Sequence, residues 1–399
     1  MKTTSLEQKY QHLGQIYQLI EQFELISRTD LAKLSGFAPA SMTSLTKKLL
    51  DHKLILERTA QNLPSRGRPA VGLSISAFYW QLLCITLSDT EMRVFLCDLS
   101  GTPIVQKCYP LNVHQVEISV TTSLSDFVQH CPIDSETLLA VSISVMGKLD
   151  RTKTTLTQLG YHKMNCALPA LIQPFIHEKP LYLNEHFQLW LLTESTLGSL
   201  ISHNDVIFLQ LDETINLSVL LRGKLLHRDE HKRMSVDRML MPKFSELSDQ
   251  ICPTLDTKER YQLSNQITFT ALKTLIDHYL PNSGKTTRQK IAWLCEQIQQ
   301  NHPQALPILE HIADNLSYML LNLISIFSTE KIMLCSPLVS IKTPLFDKIR
   351  EKINAQLLQD DLSVDLVTSQ YEWNSPMIPA VAIKYEIYAG NLIQNIIKL

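Results

Sequence analysis

Apolar residues recur with two distinct periods along this chain, and the period changes mark its parts. Leu6, Tyr10, Leu13, Tyr17 and Ile20 fall at helical spacing, so Leu6 to about Gln22 reads as one amphipathic helix. The stretch "SRTDLAKLSGFAPASMTSLTKKLLDHKLI" follows. Ser27 with Asp30 three residues later forms a capping-box variant that opens a short helix, and Gly36 ends it. Pro39 at a first helical position starts another. Two short helices around a glycine-containing turn make a helix-turn-helix. "KLILERT" and "AVGLSI" then read as strands on either side of "NLPSRGRPAVGL", which makes that stretch the wing of a winged helix-turn-helix.

At 100° per residue, Met42, Leu45 and Leu49 cluster on the inner side of the second short helix. Ala40, Thr43, Ser44 and Lys47 lie opposite, flanked by Ser41 and Lys48. That outer face is small and polar near its start, where a backbone can approach a groove, and basic further on, where phosphates would lie. A solvated helix face is the bland alternative. Arg28 opens the first short helix, and Arg66, Gly67 and Arg68 form the tip of the wing, a tetrapeptide with Pro69 that suits a narrow A·T minor groove. The candidate DNA-binding set is therefore Arg28, Ser41, Thr43, Ser44, Lys47, Lys48, Arg66, Gly67 and Arg68.

From residue 76 onward the period alternates between strand and helix. "QLLCITLSD", "EMRVFLCDL" and "PIVQKCYPL" read as consecutive strands, and "LLAVSISVMG", "PLYLN", "DVIFLQLD", "NLSVLLRGKLL" and "EKIMLCSPL" as further ones. Helices lie between them, including His302 to Phe327 and one from about Ser375 to Lys398. The order βββαβα, appearing twice with variations, suits an α/β fold of the two-lobed actin/hexokinase-like (ribonuclease H-like) architecture.

Composition supports this division. The 399 residues are 45% hydrophobic, enough for large cores. Residues 1–75 hold ten Lys/Arg against six Asp/Glu, and the remainder 27 against 33, so a basic head precedes an acidic body. No run of eighteen apolar residues and no hydrophobic N-terminal core occur, so neither export nor membrane spanning is expected. The eight cysteines form no CxxC pair and read as reduced core thiols of a cytoplasmic protein.

The helix-turn-helix with "SRGRPAVGL", together with "DLSG", "HNDVIFLQLD", "RGKLLH", "TEKIMLCSPL" and "YEWNSPMIPAVAIKYEIYAGNLI", resembles the ROK family (repressor, open reading frame, kinase) over nearly the whole chain. The likeness is greatest to its repressors of the NagC/Mlc type. It implies a winged helix-turn-helix at 1–75 and a ROK-like domain at 76–399, with one lobe at about 76–195 plus 375–399 and the other at about 196–374.

The family's chemistry is largely absent from the matching positions. Only eleven glycines occur, with no GxG anywhere, against the ~7% usual in proteins. Phosphate loops need glycine because their backbone must come within hydrogen-bonding reach of phosphate. The first phosphate loop would fall at "ITLSDTEM" and the second at Thr214 to Ser218, neither with a glycine. The family's P-G-x-x-D turn falls at Val145 to Asp150 with Met146 in the proline position, and Glu185 stands where the catalytic aspartate would be. By alignment with the family's zinc segment, Ser235 replaces a sugar-binding glutamate and Arg238 a zinc histidine, with only Cys252 downstream. No metal and no cofactor are expected. His227 and His231, four apart, read as exposed loop residues more readily than as ligands. Asn184, Glu185 and His186 remain as the candidate ligand contacts, or else as leftover polar residues at a strand end.

The expected protein is a non-enzymatic, cytoplasmic, sequence-specific transcription regulator. Its targets would be sugar or amino-sugar uptake and catabolism genes, with repression the expected direction. It would act as a dimer or tetramer on a palindromic, A·T-flanked double-stranded operator. Three forms of control stay open: a different small effector such as a sugar phosphate, no effector at all, or a protein partner, which the resemblance implies is a sugar-transport protein. The alternative is a sugar-binding or sugar-phosphorylating ROK enzyme with a vestigial head.

Overall fold

The computed structural model describes residues 2–59, 71–131, 133–160, 162–201, 203–226, 234–281, 284, 286–329, 331–357 and 364–397. It divides into two compact units, Met1–Thr193 with Tyr371–Leu399, and Glu194–Gln370.

The first unit opens with α1 (Lys2–Gln22), α2 (Arg28–Ser35), α3 (Pro39–Asp51), β1 (Ile55–Thr59) and β2 (Val71–Ile75). The apolar stripe of α1 buries Tyr10, Leu13, Ile16, Tyr17 and Ile20, whereas Leu6, expected in that stripe, is 41% exposed. The caps form as local chemistry dictates. Ser27 accepts the Asp30 N–H at 3.1 Å, and its hydroxyl donates to the Asp30 carboxylate at 2.7 Å, a variant of the reciprocal box. Gly36 closes α2 at φ 73°, the left-handed conformation that favours glycine. β1 and β2 pair antiparallel from Ile55↔Ile75 to Thr59↔Val71, and Ile26 bridges Leu73 on the far side, completing a winged helix-turn-helix.

Beyond the head, β3 (Gln81–Leu87), β4 (Glu91–Asp98) and β5 (Pro103–Pro110) form an antiparallel meander. Helix α4 (Val116–His130) leads to β6 (Leu138–Val145), which lies parallel to β3. A three-stranded sheet of β7 (Gly147–Leu149), β8 (Leu156–Leu159) and β9 (His162–Cys166) intervenes before β10 (Leu181–Glu185) pairs parallel with β6. The main sheet therefore runs β10-β6-β3-β4-β5. Successive β3 residues face opposite ways. Leu83, Ile85 and Leu87 pack with α4, while Leu82 and Cys84 pack with Ala380, Ile383 and Ile387 of the helix Met377–Tyr388.

The second unit repeats the plan. β11 (Val206–Leu211), β12 (Ile215–Leu221), β13 (Lys224–Leu225), β14 (Lys331–Cys335) and β15 (Asp365–Thr368) lie in the order β13-β12-β11-β14-β15. In both sheets the spatial order is third, second, first, fourth, fifth, which is the two-lobed architecture expected from the strand pattern. The 23-residue helix Ala305–Phe327 supplies much of this unit's apolar core.

Four strands and one helix depart from expectation. β7, β8, β9 and β15 were not foreseen, because each is short and only partly buried. The single helix expected from about Ser375 to Lys398 is two, Met377–Tyr388 and Ile393–Ile396. Gly390 at φ 84° breaks it, where a Cβ would stand 2.6 Å from the Tyr10 carbonyl group. Among the described residues no helix is long and apolar enough to cross a membrane.

Candidate nucleic-acid interface

Helix α3 is held from behind by one arginine. Arg28, the first residue of α2, donates from Nε to Thr46 Oγ1 of α3 at 3.2 Å and from Nη2 to Glu57 of β1 at 2.5 Å. Thr46 passes its own proton to the Met42 carbonyl at 2.9 Å. This ties two helices and the wing's first strand into one frame. Arg28 was expected at DNA; here its guanidinium is one-third exposed and engaged with Glu57, so a phosphate would have to compete with that carboxylate. Thr46 and Glu57 were not foreseen. Met42, Thr46 and Leu49 form the buried stripe of α3, with Leu45 only half-buried.

The opposite face of α3 is open. Ala40, Ser41, Thr43, Ser44 and Lys47 are exposed and Lys48 is half-buried. Thr43 Oγ1 donates to the Pro39 carbonyl at 3.0 Å, turning its proton back into the helix. At the other end of α3, His52 Nδ1 lies 2.9 Å from the Lys48 carbonyl, and the Trp80 indole donates to the His52 carbonyl at 2.9 Å. Lys53 sits 3.6 Å above the Tyr79 ring. The helix is thus held from behind at Thr46 and at its C-terminal end, with its outer face bare. Arg66, Gly67 and Arg68 lie outside the described residues.

The kinase-like positions of the body are filled by the chain itself. In the β3–β4 turn, Ser88 Oγ accepts the N–H groups of Thr90 at 3.3 Å and Glu91 at 3.0 Å. In the β11–β12 turn, Asp212 accepts the Thr214 N–H at 2.9 Å and the Gln210 amide at 2.8 Å, and burial pushes its carboxyl above the usual range. Amide donors that a phosphate loop would offer are consumed in both turns, and Asp89 and Glu213 add negative charge beside them.

Gly147 and Asp150, which match the family turn, have local structural reasons to be there. A Cβ on Gly147 would stand 1.9 Å from the Gln158 carbonyl oxygen. Asp150 accepts from the Thr152 hydroxyl and from the N–H groups of Thr155 and Thr154, which together hold its carboxyl down at about 2.

The three candidate ligand contacts at the end of β10 are each engaged. Asn184 Oδ1 accepts from Lys153 Nζ at 3.2 Å, and Glu185 accepts the Leu149 N–H at 3.1 Å. His186, expected beside them as a ligand contact, is instead buried, with Nδ1 2.7 Å from Ser144 Oγ. Burial drives its imidazole down to about 4, against a smaller opposing effect of the Trp373 backbone. Of the residues matched to the zinc segment, Ser235 donates to Asp237 at 2.8 Å, Arg238 is exposed, and Cys252 is half-buried. His227 and His231 lie outside the described residues.

A winged helix-turn-helix joined to a twice-repeated kinase-like α/β body is the class that this fold defines. No family model matches the chain. It is 23% identical over 403 residues to the DNA-binding transcriptional repressor Mlc of Escherichia coli (strain K12), across 98% of this chain and 97% of that protein. It is 20% identical over 392 residues to the DNA-binding transcriptional dual regulator NagC of the same strain, across 96% and 94%. The solved structure of a ROK family transcriptional regulator, a homologue of the E. coli protein, superposes with a TM-score of 0.76 at 22% identity, over 98% of this chain and 99% of that one. The ROK hexokinase from Thermus thermophilus superposes at 0.56 and 13% identity, over 76% of this chain and 97% of that one. Over nearly its whole length the chain is similar to regulators of the ROK family of the NagC/Mlc type.

Proposed function

We propose that this protein is a sequence-specific DNA-binding transcription regulator. Its targets in this reading are sugar or amino-sugar uptake and catabolism genes, which it represses in the cytoplasm as a dimer or tetramer. The observation that carries the reading is α3, bound from behind at Thr46 and held at its C-terminal end, with its small polar face exposed. In this reading Ser41, Thr43 and Ser44 meet base edges, Lys47 and Lys48 meet phosphates, and Arg66 and Arg68 enter an A·T-rich minor groove at the flanks. Full-length relatives named as DNA-binding regulators support it.

The same reading excludes catalysis. Phosphoryl transfer depends on positioned donors around the transferred group. Ser88 and Asp212 occupy those donors here, and Glu185 is bound to a backbone amide. An effector at Asn184 and Glu185 would have to displace Lys153 and the Leu149 N–H, so control by a sugar phosphate or by a sugar-transport protein both stay compatible with these residues.

A mobility-shift and footprinting series with fragments of the source genome tests the proposal. We expect one or a few palindromic sites bound at nanomolar protein, with affinity falling steeply as salt rises. Uniform binding to every fragment would refute it, as would turnover in a coupled ATPase assay over hexoses and amino sugars for the non-enzymatic part.

A further inference from the structure

The exposed start of α3 carries a restricted chemical vocabulary. From Ala38 to Thr46 the sequence is APASMTSLT, without arginine, lysine, asparagine, glutamine, aspartate, glutamate or histidine. In a helix-turn-helix the N-terminal turns of the recognition helix are the part that reaches base edges. The major-groove code assigns guanine to Arg or Lys, adenine to Asn or Gln, and cytosine to Asp or Glu. None of those readers stands in the first two turns. What remains is serine, which hydrogen-bonds either base pair with little discrimination, and apolar carbon, whose partner in the groove is the C5-methyl group of thymine.

Two side chains supply that carbon. Ala40 is exposed and ends at its Cβ. Thr43 is exposed, and its only donor is spent on the Pro39 carbonyl at 3.0 Å, which leaves the Cγ2 methyl and an oxygen lone pair for a partner. The frame behind them is stiff, because Thr46 one turn on is buried and bonded to both Arg28 and Met42. A methyl–methyl contact needs such stiffness, since its attraction falls away within a fraction of an ångström.

We propose that Ala40 and Thr43 read thymine in the major groove through its C5-methyl group and carry most of the sequence discrimination of α3. The proposal rests on the DNA-binding reading above and names what that helix recognises. It also separates α3 from the wing, because the thymine methyl projects only into the major groove.

Replacing thymine by deoxyuridine removes that methyl and leaves pairing intact. The probe is the duplex that the full-length protein enriches from random-sequence DNA, with each thymine changed singly to deoxyuridine. One or two thymines per half-site should each cost about three- to fivefold in affinity when demethylated, the size expected for one buried methyl. Thr43→Ser keeps the Pro39 hydrogen bond and loses the methyl, so it should bind thymine and uracil equally at one of those positions. Thr43→Val keeps the methyl and should retain the discrimination, which a role for the hydroxyl in reading bases would not allow. Enrichment of a defined site whose thymines all tolerate deoxyuridine overturns this inference and leaves the DNA-binding reading standing. Failure to enrich any sequence overturns the reading beneath it as well.

Discussion

Helices α1 and α3 both present an apolar stripe to the core of the head, yet the faces beside those stripes have different fates. One flank of α1, with Gly14, Tyr17 and Glu21, is covered by the helix Met377–Tyr388. Gly14 lies so close that a Cβ would stand 2.2 Å from the Tyr388 carbonyl oxygen, and Gly390 makes the reciprocal approach to Tyr10. Within this seam Glu21 pairs with Lys384, a lysine with no exposure at all. Lys384 also donates to the Leu99 carbonyl at 2.8 Å, and the Tyr388 hydroxyl donates to Glu21 at 2.6 Å. Nothing in the described chain covers α3 in this way. One helix anchors the head to its lobe, and the other keeps an exposed outer face. The proposed function needs both, since a reading helix on a loose head would lose the order its contacts require.

The sharpest way to break this contrast is to remove the buried cation. Lys384→Ala leaves the Glu21 carboxylate, one-tenth exposed, without its ion pair and should cost about 3–5 kcal/mol in a urea melt. Replacing both partners together, as Glu21→Leu with Lys384→Met, should recover most of that loss, because a buried pair exchanged for apolar side chains is often close to neutral. A single-mutant loss under about 1 kcal/mol would mean that Glu21 finds water and that the seam is not sealed.

The same seam should fail in alkali before the rest of the head. Burial, reinforced by the Glu21 charge, raises the hydroxyl pKa values of Tyr17 and Tyr388 well above 10. A raised folded-state value means that the unfolded chain releases these protons first. Their contribution is therefore complete below pH 10 and is lost as pH rises beyond it. Each tyrosine should remove about 1.4 kcal/mol for the first pH unit above 10, or roughly 2–3 kcal/mol for the pair at pH 11. Tyrosinate absorbance reads this directly. Tyr17 and Tyr388 should ionise only with unfolding, and Tyr17→Phe should shift the alkaline midpoint upward. Early, reversible ionisation of both would show that water already reaches α1.

What the sequence made legible divides along a physical line between local and distant partners. The caps at Ser27 and Gly36 and the first-turn proline Pro39 depend on neighbours within four residues, and all three form as read. Most strands of the two main sheets, β15 excepted, were legible from apolar runs that each strand carries within itself. Thr46 was missed because the group that buries it, Arg28, is 18 residues away, and Leu45 had the more apolar claim to that face. The burial of His186 depends on Ser144, 42 residues earlier, so nothing beside it in the sequence marks it as a core histidine. Lys384 did carry a trace, a lone cation in the apolar run "MIPAVAIKYEIY", but its partner is 363 residues distant. β7 to β9 escaped because three to five half-exposed residues give no clear alternation.

The smallest effect tests whether the open side of the head is held independently of the seam. Ser27 caps α2 through the Asp30 N–H. Ser27→Ala removes one cap and should cost about 1 kcal/mol, while Ser27→Asp, which can still accept that N–H, should cost less. The loss should add to that of Lys384→Ala, since the two groups share no partner. Additivity within about 0.5 kcal/mol would mean that α2 and α3 keep their own stability when the anchor is weakened. A loss in the double variant well below the sum would mean that the head melts as one piece with α1, so that whatever loosens the seam also disorders the reading helix.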